Sequence, residues 1–215
     1  MKNLLKIPFY TNMKDGNHCF QACFKMILKH YFPEKNYSFK ELDKLSNHIK
    51  GKWTWQGTFL LELSKMGFEV VNIENLDYKK FAKDGAEYLK TIWSEDVFNT
   101  QDQFSDLKQE QKIAQRMVEE NKLKLINIEV SLKDVEKYFN EGFMVVVSVN
   151  PCIFERRKCY SSHLVLITNI SKDTITFHDP GLPPVENNKV SKKLFEKAMT
   201  KPWKEDTNLI AVRKK

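Results

Sequence analysis

Lys14-Asp15-Gly16-Asn17-His18-Cys19-Phe20-Gln21-Ala22-Cys23 reads as a tight turn running into a helix. From Phe20 the apolar residues Cys23, Phe24, Ile27, Leu28 and Tyr31 follow the spacing of a helix with one face on the core. Pro33 disfavours helical geometry in the residue before it, so the helix is predicted to end near Phe32. The turn sets the Cys19 thiol at the helix N-terminus. There the macrodipole and the unpaired N–H groups of the first turn favour thiolate, and the same N–H groups can stabilise an oxyanion. Cys23, one turn further on the apolar face, is predicted to be a small buried hydrophobe.

Working outward, Ser38 and Glu41 form a capping box for a second helix reaching about Ile49. A third is expected from Thr58 to Met66, with Gly67 past its end. Glu69 to Ile73 reads as a strand. Leu76 to Asn121 is helical in pattern and heavily charged, and residues 77–122 are expected to be a helical insertion or lid. Leu125 to Ile128 is a short strand, Ser131 with Asp134 opens a helix ending before Gly142, and Phe143 to Val149 suits a buried strand. Leu164 to Ile170 and Thr174 to His178 flank Ser171-Lys172-Asp173 as a hairpin. Ser191 caps a further helix, and Leu209 to Val212 closes the chain as a strand. Helices first and strands later predict an α+β fold, with the helices on one antiparallel sheet.

Such a fold sets the start of the first helix against the ends of the late strands, where two polar groups stand out. His163 opens the apolar run Leu164-Val-Leu-Ile-Thr168, and Asp179 ends the next strand in His178-Asp179-Pro180-Gly181. In a hairpin these two come close, so a carboxylate at Asp179 would accept the Nδ1–H of His163 and fix its tautomer. With Cys19 as nucleophile and His163 as base, this is the arrangement of thiol catalysis. Asp-Pro-Gly on its own only reverses the chain.

Ile7-Pro-Phe-Tyr10, the Cys-X-X-Ala-Cys helix start, the His163 strand and the His-Asp-Pro-Gly turn together resemble the bacteriocin-processing, double-glycine-type peptidases and their stand-alone relatives in the papain-like superfamily. Gln56-Gly-Thr58, Lys65 to Val70 and a helix ending at Gly142 before a buried strand are similar to that family too. The resemblance covers most of the chain and implies a single papain-like domain over 1–215, with Cys19, His163 and Asp179 as nucleophile, base and orienter. The family usually has Gly after the Cys and an upstream Gln for the oxyanion; here those places hold Phe20 and Asn12. The implied activity is a cysteine peptidase-like hydrolase acting on a peptide, protein or small amide through a thioester. The alternatives are a transamidase or deamidase using the same residues, or an inactive binding module that keeps the fold.

Trp53 and Trp55, in Gly51-Lys-Trp-Thr-Trp-Gln-Gly57, are candidates for a substrate wall, though packing is the commoner use of such rings. The loop 150–162, with Arg156-Arg157-Lys158, is expected as an exposed connection, the alternative being a border of the substrate cleft that favours an acidic ligand. At 215 residues and 25.4 kDa, with 41% hydrophobic residues, the chain is long enough to bury a core without staples. The charge of +7 is scattered in small clusters, and without base-stacking aromatics it predicts no nucleic-acid partner. The N-terminus is too interrupted for a signal peptide and no run is long enough to span a membrane, so the cytoplasm is the expected compartment, where the four cysteines, Cys152 and Cys159 among them, are read as free thiols, catalytic groups or metal ligands rather than disulfides. A metal set built on Cys19, Cys23, Cys152 and Cys159 with His18 or His163 matches no zinc spacing. No metal and no cofactor are expected.

Overall fold

A computed structural model describes residues 6–201 and 207–215; residues 1–5, part of the stretch weighed as a leader, lie outside it. The first helix, α1 (Cys19–Tyr31), begins at the thiol itself and ends one residue before Phe32. Its stripe, Phe20, Cys23, Phe24, Ile27 and Leu28, is buried. α2 (Phe39–Ser46) carries the capping box in full: Ser38 Oγ accepts the Glu41 N–H, and the Glu41 carboxylate accepts the Ser38 N–H at 2.7 Å. It stops before Ile49, because Asn47 turns left-handed at φ 53°. α3 (Gly57–Lys65) ends ahead of Gly67, whose φ of +86° suits a residue without a Cβ.

After β1 (Phe68–Glu74) the charged segment folds as four helices: α4 (Tyr78–Asp84), α5 (Ala86–Ile92), α6 (Glu95–Phe104) and α7 (Leu107–Glu120). The breaks are written in polar caps. Asp77, Ser94 and Asp106 each accept backbone N–H groups of the helix they precede. α7 lies so close to α3 that a Cβ on Gly57 would stand 2.7 Å from Ile113 Cγ2 and 2.9 Å from Met117 Sδ, which is why glycine opens that helix. β2 (Lys124–Asn127), α8 (Leu132–Asn140), β3 (Met144–Val149), the short α9 (Pro151–Phe154), β4 (His163–Ile170), β5 (Thr174–Asp179), β6 (Val185–Ser191), α10 (Lys192–Thr200) and β7 (Leu209–Lys214) complete the chain.

The strands form one seven-stranded sheet in the order β2-β1-β7-β3-β4-β5-β6. The class is α+β, but one expectation needs correction. The sheet is mixed, since β2 runs parallel to β1 while the remaining pairs are antiparallel. The helices cover both faces. Alternate residues of β1, β3 and β7 feed two apolar cores: Val70, Met144 and Val146 meet α1, α3, α4 and α7, while Val71, Val145 and Val147 meet α8 and α10. A strand buried on both faces reads as a continuous apolar run, so its pattern cannot tell how many faces are covered. β6 was not predicted. Val185-Glu-Asn-Asn-Lys-Val-Ser191 is an exposed polar edge, with no alternation to mark it.

Candidate active site

β3, β4 and β5 fix the geometry. β4 starts at His163, opposite Val149 of β3, and β5 ends at Asp179, just past the pairing of Leu166 with His178. The hairpin thus brings the two side chains together at one end of the sheet. The end of β5 is itself anchored, since buried His178 donates from Nε2 to the Ile7 carbonyl at 3.1 Å and accepts the Asn187 N–H on Nδ1.

His163 and Asp179 are each 8% exposed, and His163 Nε2 lies 2.7 Å from Asp179 Oδ1. The ring nitrogen differs from the expected one: Nε2, not Nδ1, faces the carboxylate. Nδ1 is therefore the nitrogen left for Cys19, which is near enough to interact with the ring. Asp179 Oδ1 also accepts the Gly181 N–H at 2.9 Å. A Cβ on Gly181 would stand 2.8 Å from that oxygen and 3.3 Å from His163 Nε2, so the last residue of the turn must be small for the pair to close.

Burial works against charge at both ends of the Cys19–His163 contact. For Cys19 it is outweighed by the hydrogen bond and charge of His163 and by the Leu164 and Phe20 backbone, which together lower the thiol's pKa. For His163, burial is outweighed by the hydrogen bond to Asp179 and by Cys19, and the ring is pushed up to about 10. Both shifts run the same way, favouring thiolate on Cys19 and imidazolium on His163. Cys23 behaves oppositely. It is fully buried and its Sγ donates to the Leu164 carbonyl at 3.4 Å; burial, then the charges of Cys19 and Asp179, push its pKa well up.

The departures at Phe20 and Asn12 gain a structural account. The Phe20 ring packs into the core against Phe24 and Phe59, at 4.7 and 5.5 Å between centroids. Asn12 is buried and ties the approach to the helix: its Oδ1 accepts the His18 N–H at 2.8 Å and its Nδ2 donates to the Gly16 carbonyl at 3.0 Å. Its own N–H donates to the Pro180 carbonyl at 2.8 Å, joining the loop before Cys19 to the turn after Asp179. Sequence reading did not find these roles for Gly181 and the Pro180 carbonyl; the only signal was the Asp-Pro-Gly tripeptide, which on its own marks a turn.

Trp53 and Trp55 sit against the charged helices. Trp53 stacks on Phe104 at 5.1 Å and keeps 46% of its surface exposed, while Trp55 packs on Phe81 and Trp93 and donates to Ser105 Oγ. Thr54 between them accepts from Gln21, in the first turn of α1. A cleft of about 400 Å³ lies beside this segment, lined by Ile49, Lys52, Asp102, Ser105, Leu107 and Lys108 among others.

The loop 150–162 requires a further correction. Cys152 and Cys159 are not free thiols but a disulfide, with Cα atoms 5.7 Å apart. Asn150 organises the same loop, accepting the N–H groups of Cys152 and Ser161 and donating to the Cys159 carbonyl. The bond also removes two members of the cysteine metal set. Thiol titration of denatured, unreduced protein is expected to count Cys19 and Cys23 alone, and to count all four cysteines after reduction. No helix among the described residues is long and apolar enough to cross a membrane.

No family model matches the chain, and no curated protein does. Solved structures do. The peptidase domain of Streptococcus ComA, a bifunctional ABC transporter of a quorum-sensing pathway, aligns with a TM-score of 0.53 at 14% identity, over 96% of this chain and 97% of that one. A Bacillus anthracis protein described as a C39-like peptidase aligns with a TM-score of 0.52 at 13% identity, over 98% and 97%. The chain has the papain-like fold of these peptidase structures.

Proposed function

We propose that this chain, built on the fold of the C39 peptidases, is a cysteine peptidase-like hydrolase that cleaves a peptide or amide bond through a thioester on Cys19. The observation that carries the reading is the His163–Asp179 hydrogen bond, with its imidazole set beside Cys19 at the N-terminus of α1. A thiol that is merely buried acquires a raised pKa, as Cys23 does; Cys19 is lowered because a paired imidazole faces it.

The Cys19 thiolate attacks the carbonyl carbon, and the electron pair of the C=O moves to oxygen. Donors for that oxyanion are the N–H groups of the first turn of α1, ahead of the first helical bond from Ala22 N–H to the His18 carbonyl, together with the second Nδ2 hydrogen of Asn12. The His163 imidazolium protonates the leaving amine as the C–N bond breaks. Neutral His163 then takes a proton from water, hydroxide attacks the thioester, the acid leaves and the thiolate returns. Asp179 holds the ring in place and stabilises its charge throughout.

The exposed face of Trp53 is the proposed substrate wall, with Trp55 as its support. Residues 77–122 act as a lid over the same side within a single domain, since α6 and α7 border the cleft beside Trp53. The Cys152–Cys159 bond stands against the cytoplasmic placement read from the sequence, since such bonds persist in an oxidising compartment, and a count of thiols trapped by alkylation inside the cell decides between the two.

Mixing the reduced-thiol protein with an activated p-nitrophenyl ester is the direct test. One acyl group on Cys19, seen by peptide mapping, and a stoichiometric burst of nitrophenolate are expected, and both vanish in Cys19→Ala. Absence of acylation at Cys19 in the unaltered chain would make it a binding module that retains the fold.

A further inference from the structure

A second cluster lies on the other side of the residue that precedes the nucleophile. His18 is 4% exposed; its Nδ1 is 3.0 Å from Asp15 Oδ1 and its Nε2 is 3.3 Å from Asp43 Oδ1. That Asp43 oxygen is buried and accepts no hydrogen bond, so the 3.3 Å approach leaves it unsatisfied. His48 completes the group for a reason visible in α2. Asn47 turns left-handed, and the His48 N–H reaches back to the Asp43 carbonyl at 2.8 Å, folding His48 over Asp43. The His18 and His48 rings are 5.0 Å apart, and one ligand atom from each of His18, Asp43 and His48 lies within 4.8 Å of the others.

We propose that His18, Asp43 and His48 form a binding site for a divalent first-row transition ion, with Zn²⁺ the best match. Two imidazoles and one carboxylate are the donors such ions prefer, whereas Mg²⁺ and Ca²⁺ take oxygen. Both rings are oriented from behind. Asp15 holds Nδ1 of His18, and Thr54 Oγ1 lies 2.7 Å from Nδ1 of His48, leaving Nε2 of each ring for the metal. Tetrahedral ligands at about 2.0–2.2 Å from zinc stand roughly 3.4 Å apart, so side-chain adjustment of about an ångström closes the site. Asp43 and His48 are half-exposed, which gives an ion its way in and leaves a fourth position for water. An ion here joins α2 to the residue immediately before Cys19. The site is independent of the thiol chemistry.

The test titrates Zn²⁺ into the full chain carrying Cys19→Ala, so that the thiol cannot bind it, in competition with a chromophoric chelator. One equivalent is expected to bind, weakened at least tenfold by His48→Ala and by Asp43→Asn and unchanged by His30→Ala, which removes an exposed histidine outside the cluster. The melting temperature should rise with Zn²⁺ in the Cys19→Ala chain and not once His48→Ala is added. Absence of stoichiometric binding, or equal affinity with and without His48→Ala, overturns the site. If either substitution prevents folding, carbethoxylation of His48 in the Cys19→Ala chain decides the matter. Zn²⁺ blocks the reaction and chelator restores it if the site exists; modification that Zn²⁺ leaves unaffected rules it out.

Discussion

Asp179→Asn is expected to slow acylation of Cys19 by the activated ester at neutral pH by about 10²- to 10⁴-fold, the cost of replacing the carboxylate of a catalytic relay by its amide. The shape of the side chain is retained, so the loss reports charge and tautomer. With the carboxylate 2.7 Å away, the imidazolium persists up to about pH 10. Without it, burial of the ring is no longer opposed by its strongest partner, and the alkaline limb of the rate profile moves down toward the ordinary histidine value of about 6.5. The same shift is a stability statement. A histidine raised in the folded state contributes stability that is fully present below the unfolded value of about 6.5 and is lost as pH rises through about 10. Cys19, lowered in the folded state, acts in the opposite sense below the ordinary thiol value of about 8.5, so the melting temperature of the unaltered protein should fall mainly from about pH 8.5 to 10, and that of Asp179→Asn should fall less. Equal rates and equal profiles in the two proteins would remove Asp179 from the mechanism.

Phe24→Ala has the largest expected effect on the fold, about 3–5 kcal/mol. Phe24 is fully buried, and its ring lies 4.7 Å from Phe20 and 4.9 Å from Phe59, at the seam of α1 and α3. Deleting it removes the transfer energy of the ring and leaves a cavity that two helices tied into the sheet cannot close. Against a typical total of about 5–15 kcal/mol, that is about a fifth at the least. The measurement is denaturant unfolding followed by circular dichroism, with Val185→Ala on the exposed edge strand expected within about 0.5 kcal/mol of the parent. A loss below about 1 kcal/mol would mean that α1 is not held by this aromatic seam.

Local chemistry was the legible part of this sequence. The stripe from Phe20 to Tyr31, the Ser38–Glu41 box and the glycines after α3 and α8 are short-range signals, and each element they predict lies within a residue or two of its observed bounds, apart from the early end of α2. Three features were not legible because their causes lie far apart in the chain. β6 is held by pairing with β5 rather than by its own residues. Burial on both faces of β3 and β7 depends on helices from opposite ends of the chain. The Cys152–Cys159 bond depends on how Asn150 folds the intervening loop. At the candidate site the proximity of Cys19, His163 and Asp179 was readable from the hairpin and the helix start. Which ring nitrogen faces Asp179 was not, because that is set by where β4 begins relative to β5. His18, Asp43 and His48 share no metal-binding spacing and meet only through the turn at Asn47.

The central claim is that His163 holds Cys19 as a thiolate, and the pH dependence of alkylation tests it most directly. A low-pKa thiolate is intrinsically less nucleophilic than an ordinary one, so the rate at a single pH near 7 discriminates poorly and the slope decides. Iodoacetamide labelling of Cys19, followed by peptide mapping, is predicted to persist to lower pH in the unaltered protein than in His163→Ala. In His163→Ala it should fall about tenfold per pH unit below the ordinary thiol pKa of about 8.5. Parallel, steeply falling profiles in both proteins would show that Cys19 is an ordinary thiol and contradict the account.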